Sequence, residues 1–178
     1  MAVLPIVEIP DPRLRLVSAP VDTVDDAVRA LVADMIDTMY AANGIGLAAI
    51  QVGVEQRVLV IDLQDRDDDS DEGDGKPSRD PRAYINPQIL EVSHEMGNYN
   101  EGCLSIPEQY AEVERPATCR VRWLDETGAT QEETLDGLLA VCMQHEIDHL
   151  NGILFIDHIS RLKRQMLIKK LDKQRKAA

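Results

Sequence analysis

A chain of 178 residues is long enough for one domain with a proper core, and its 32 acidic against 19 basic residues leave a formal net charge of −13. That charge disfavours non-specific binding of the protein body to DNA or to an anionic membrane, and no run of about 18 apolar residues offers a transmembrane helix. Cys103, Cys119 and Cys142 form no disulfide-scaffold pattern and no secretory signal opens the chain, which together predict a reducing, cytoplasmic setting.

Residues 1–22 are punctuated by Pro5, Pro10, Pro12 and Pro20 and read as an extended segment, with at most one short helix after Asp11. Thr23 followed by Asp26 is a capping-box variant with Asp where Glu is usual. Val28, Leu31, Met35 and Met39 then recur at helical spacing, with Val32 and Ile36 widening the stripe. This predicts an amphipathic helix to about Ala42, closed by Asn43-Gly44, with both methionines in the core. Gly44, Gly46 and Gly53 bracket the next apolar run, which carries neither GxGxxG nor GK[ST]. Glycine there suits a helix-to-strand turn, or close approach of a ligand to the backbone. Gln51 is the polar exception in that run, and a buried amide needs partners.

Arg57 to Leu63 is rich in β-branched residues and predicts a strand. Seven of the ten residues from Asp65 to Asp74 are acidic, so 65–81 reads as a solvated acidic insertion; the register of a calcium loop is absent. Ala83 to Val92, containing Asn86-Pro87, predicts a strand entered through a bulge or turn. Tyr110 to Val113, Thr118 to Leu124 and Thr130 to Leu135 predict a meander of antiparallel strands, with Cys119 a small buried hydrophobe and His94 solvated.

Leu138, Cys142, His145 and His149 share one helical face, and Gly152 offers a stop. Within QHEIDHLNG (144–152), His145 and His149 stand one turn apart and Glu146 lies about 100° round the axis. Such an HExxH segment lets two neutral imidazoles hold a divalent ion while a carboxylate takes a proton from its water. A third His six positions after the second is missing, since Phe155 stands there, and no Glu follows Glu146. Asp157, His158 and Asp172 downstream and Cys103 upstream remain. A thiolate with two imidazoles leaves one position open, as catalytic sites require; Cys142 as a fourth ligand would close it, so it reads as core or pocket wall. Leu162, Met166, Leu167 and Leu171 predict a last helix over 160–176, where eight of the nineteen basic residues fall against one acid, Asp172.

GIGLAAIQVG (44–53), EGCLSIP (101–107) and QHEIDHLNG, in that order, resemble the three signature motifs of bacterial peptide deformylases, and the resemblance spans essentially the whole chain. It implies one catalytic domain over 1–178. The fold would be α+β, with antiparallel β-sheets packed around a central HExxH helix, an N-terminal amphipathic helix and a C-terminal helix. The implied activity is metal-dependent removal of the formyl group from N-formylmethionyl nascent peptides, releasing formate and a free amino terminus. By the same resemblance Cys103, His145 and His149 hold the metal, Fe2+ in the cell with Zn2+, Ni2+ or Co2+ as substitutes. Glu146 is then the acid and base, and the Gln51 amide and the Leu104 N–H stabilise the oxyanion. Ile45, Glu101, Leu138, Val141 and Cys142 wall the pocket for the first side chain, the backbones of Ile45 and Gly46 pair with substrate, and Gly102 belongs to the same binding set. The basic last helix implies docking on the ribosome. Two departures are Tyr110, where many members carry Arg, and Ile50, where Thr is common.

Overall fold

In the computed structural model, which describes residues 2–64 and 78–178, the chain is α+β with antiparallel sheets and three helices among the described residues. Most of the expected acidic insertion, 65–77, lies outside the described residues. The helices are α1 (Asp26–Ala41), α2 (Gly137–Leu150) and α3 (Arg161–Ala177). The strands are β1 (Gly46–Ala48), β2 (Val58–Ile61), β3 (Arg82–Val92), β4 (Met96–Cys103), β5 (Ile106–Pro116), β6 (Cys119–Leu124) and β7 (Thr130–Leu135).

The expected N-cap of α1 is corrected. Asp25, not Thr23, accepts from the Val28 N–H at 3.0 Å, because it directly precedes the first helical residue and its short side chain reaches the third N–H. The apolar stripe behaves as its spacing implies: Val28, Val32, Met35 and Met39 are buried. Ser160 caps α3 by accepting from the Lys163 N–H, and Leu167 and Leu171 are buried. Leu162 and Met166, expected in the same stripe, are instead 69% and 63% exposed.

Strands β1-β2-β3-β6-β7 form a five-stranded antiparallel sheet in that order. Strand β2 is buried along its whole length because both faces are covered. Val58 and Val60 point into the cluster built with α1; Leu59 and Ile61 point into the cluster built with α2. Alternation along the strand therefore sets the two helices on opposite faces of the sheet. At Asn86-Pro87 the register of β3 on β6 skips between Ile85 and Gln88, where proline has no N–H for the ladder.

The meander expectation needs correction at Tyr110 to Val113. These residues belong to β5, which pairs with β4 in a separate two-stranded sheet. Strand β4, MGNYNEGC, lacks an apolar alternation and carries two glycines and two asparagines, so local propensity gave no sign of it. A third cluster, including Leu14, Ile106, Val113, Phe155, Leu167 and Leu171, joins this hairpin to α3. No described helix is long and apolar enough to cross a membrane.

Helix α2 ends as expected at Gly152, with φ +73°, and a Cβ there would lie 2.5 Å from the Arg15 carbonyl oxygen. Gly152→Ala should therefore lower stability by about 1–3 kcal/mol, read as a lower urea midpoint at unchanged slope.

Candidate metal centre

The buried face of α2 carries His145 and His149, and Cys103 ends β4 opposite them. The Cys103 Sγ lies 3.2 Å from His149 Nε2, which lies 3.2 Å from His145 Nε2. All three donor atoms fall within 4.8 Å of one another. The group includes none of the downstream candidates: Asp157 pairs with Arg15, and His158 bonds Asp148. A thiolate and two imidazoles form a donor set that suits zinc or iron.

The His145 ring is aimed by Glu101, whose Oε1 lies 2.8 Å from Nδ1, so Nε2 is left to face the centre. Glu101 is in turn gripped by Arg115, with Nε to Oε2 at 2.6 Å and Nη2 to Oε1 at 3.0 Å. Arg115 reaches back to α2 through Asp148, 2.9 Å away. Burial would raise the Glu101 pKa, but hydrogen bonds from His145 and Arg115 hold it below the usual carboxylate range. Burial would likewise depress His145; the Cys103 sulfur and the Glu101 carboxylate hold it well above its ordinary value. His149 lies well below that value because it is buried and then faces the charge on His145.

Glu146 is 5% exposed, and burial pushes its pKa up to about 7. Its Oε2 is buried with no partner among the described residues, while a Cβ at Gly46 would lie 3.0 Å from Oε1 and 3.2 Å from the carboxyl carbon. Glycine at 46 is thus what lets β1 pass close to this carboxylate. Gln51 is fixed at both ends: its Oε1 accepts from the Ala48 N–H at 2.9 Å, and its Nε2 donates to Ser105 Oγ at 3.0 Å and lies 3.5 Å from Cys103 Sγ.

A cavity of about 490 Å³ joins these groups. Gln51, Cys103, Leu104, His145 and Glu146 border it, as do Ile45, Gly46, Glu101 and Gly102. Leu138, Val141 and Cys142 line it from α2. Of the site residues expected from sequence, only the fully buried His149 lies behind the wall. Cys119 is elsewhere in the core, with its thiol pushed up to about 11 by burial.

Several supporting residues went unforeseen. Arg115 shares the inward face of β5 with Val113, and a cation in that alternation was the one available signal. Ser105 and Asp148 offered none. Asp62 and Gln64 brace the cavity's other wall: the Asp62 N–H donates to the Ile45 carbonyl at 2.8 Å, and the Gln64 amide donates to the Gly44 carbonyl at 3.2 Å.

An α+β fold that seats a buried HExxH pair beside a cysteine at the floor of a peptide-sized cleft defines a metallohydrolase. The model of the family described as polypeptide deformylase matches residues 3–165. The chain belongs to that family, which removes the N-formyl group from nascent peptides. It is 65% identical to a peptide deformylase of Rhizorhabdus wittichii over 99% of this chain and 98% of that one, and 58% identical to one of Novosphingobium aromaticivorans over the full length of both. Among solved structures, the peptide deformylase of Legionella pneumophila matches with a TM-score of 0.86 and 44% identity, over 99% of this chain and 97% of that one. That of Ehrlichia chaffeensis in complex with actinonin matches with a TM-score of 0.86 and 43% identity, over 98% of each.

Removing Arg115 would leave Glu101 buried without its counter-charge. Arg115→Ala should cost about 3–5 kcal/mol in denaturant unfolding, whereas exposed Arg82→Ala should change it by less than about 1 kcal/mol.

Proposed function

We propose that Cys103, His145 and His149 hold one divalent cation, and that Glu146, Gln51 and Leu104 act on the formyl group of an N-formylmethionyl peptide. The whole chain, 1–178, is one catalytic domain in this reading. The single observation that carries it is the convergence of one sulfur and two ring nitrogens within 4.8 Å, beside a buried carboxylate. A cation held there lowers the pKa of water from 15.7 to about 7 and so makes hydroxide available near neutrality.

Glu146 accepts the proton that water loses. The water oxygen bonds to the formyl carbon, and the carbonyl oxygen gains negative charge. The Gln51 Nε2 and the Leu104 N–H donate to that oxygen. Glu146 then returns its proton to the leaving nitrogen as the C–N bond breaks, giving formate and a free amino terminus. Burial of Glu146 favours its protonated form, which supports its taking up the proton that water loses. By the family resemblance the formyl end lies in a cramped space against Gly46 and the metal, and the first side chain lies against Leu138, Val141 and Cys142 with Ile45, Glu101 and Gly102 nearby. Strand β1 stands at the edge of its sheet, which supports backbone pairing of Ile45 and Gly46 with an extended substrate. The actinonin complex of the Ehrlichia chaffeensis relative supports a peptide-like occupant for this cleft.

For the cation we propose Fe2+ in the cell, with Zn2+, Ni2+ or Co2+ as substitutes; the family resemblance and the thiolate–imidazole set support this. We also propose that α2 is the helix around which the sheets pack, supported by the burial of Ala140 to Ile147. The protein acts in the cytoplasm, and its basic α3 docks on ribosomal RNA, a reading supported by the charge bias of 161–176 in an otherwise acidic chain.

Glu146→Ala should abolish formate release from a formyl-Met peptide while metal content after anaerobic purification stays at one per chain; retained turnover would overturn the acid–base role. Cys103→Ser should lose metal on dialysis, and Gln51→Ala should lower kcat by about 10²–10³-fold. Unformylated peptides should not be cleaved, and sedimentation with ribosomes should weaken with salt and on deletion of 160–178.

A further inference from the structure

We infer that His158 is a positioning residue for the metal centre: by donating to Asp148 it keeps Arg115 on Glu101, and so fixes the ring of His145. The inference deepens the function proposed above and rests on it.

Five side chains run without a break from the protein surface to a metal ligand. His158 Nε2 lies 2.8 Å from Asp148 Oδ2, and the same oxygen accepts from Arg115 Nη1 at 2.9 Å. Nε and Nη2 of Arg115 hold Glu101, whose Oε1 lies 2.8 Å from His145 Nδ1. Side-chain exposure falls along the run, from 34% at His158 and 19% at Asp148 to 4% at Arg115 and 5% at Glu101. Water therefore reaches its outer end alone.

Charge decides what His158 does there. One guanidinium serves two carboxylates, Glu101 and Asp148, so a donor lost by one is drawn from the other. Among the described residues, Arg115 and His158 are the side chains that donate to Asp148. The nearby cations are engaged elsewhere: Arg15 at 2.5 Å and Arg164 at 3.8 Å both pair with Asp157. A carboxylate oxygen only accepts, so the hydrogen of this contact belongs to His158 Nε2. Without it, Asp148 would draw the guanidinium toward α2 and away from Glu101 on β4, loosening the hold on His145. A contact that only fastened the short 3-10 helix Phe155–His158 onto α2 would leave the metal centre unchanged.

The test uses cobalt-substituted protein, in which the visible absorption of Co2+ reports its ligands and a chelator times its loss. His158→Gln places an amide N–H where Nε2 stood, whereas His158→Asn places it where Nδ1 stood, short of Asp148. Removing a group that directly orients a metal ligand costs about 10–100-fold in affinity, and His158 stands three contacts further out. His158→Asn should therefore speed cobalt loss about threefold to tenfold and shift the absorption, while His158→Gln should stay within about twofold of wild type. For formyl-Met-Ala-Ala, kcat should fall in His158→Asn at unchanged KM, because His158 does not border the cavity. In an Asp148→Asn background, His158→Asn should add nothing, since it acts through that carboxylate. The urea midpoint of the metal-free protein reads the structural contribution separately. Cobalt loss and absorption both unchanged in His158→Asn overturn the inference, whatever that midpoint does. So does a His158→Gln protein as altered as His158→Asn, or a full further effect of His158→Asn in the Asp148→Asn background. Wild-type protein that takes up no cobalt overturns the proposed metal centre, and the inference with it.

Discussion

The arrangement depends on a guanidinium buried between two elements. Arg115 on β5 grips Glu101 on β4 and Asp148 on α2, and Glu101 holds the His145 ring. Each partner would be costly to bury alone; together they satisfy one another in a region that excludes water. This network ties the β4–β5 hairpin to α2. Without that tie, nothing in the hairpin's two-stranded pairing would bring Cys103 to the two histidines.

The opposite wall has a different physical basis. There the sheet supplies rigidity: β1 pairs with β2, Asp62 holds the Ile45 carbonyl, and Gln64 holds that of Gly44. Asp62 is itself held by the Tyr40 hydroxyl and by the Gln64 and Asp80 N–H groups. Two glycines then permit close contact across the cleft, Gly46 against Glu146 and Gly44 against the Leu104 side chain. One wall is thus set by charge pairing and the other by backbone pairing, and the Glu146 carboxylate sits where they meet.

Much of this was legible along the chain because it is local. The apolar spacing of α1 and the one-turn separation of His145 and His149 follow from helical geometry alone. The stop at Gly152 does so as well. The β4 strand was not legible, because its residues have little strand propensity and it is held by pairing with β5 and by the contacts of Glu101. Leu162 and Met166 show the converse: a periodic stripe marks a face, but not how much of it a neighbour covers.

The amino-acid order by itself determined the helix that carries the two histidines and the glutamate, the glycines beside it, and, through three ordered motifs, the family. Only the tertiary structure decided how near the Cys103 sulfur comes to the two rings, that Glu101 aims the first histidine, and which cation holds that glutamate. The reason is physical: side chains a few residues apart are positioned by backbone geometry, whereas Cys103 and Arg115 are positioned by strand register and by packing against α2, which exist only once the chain has folded.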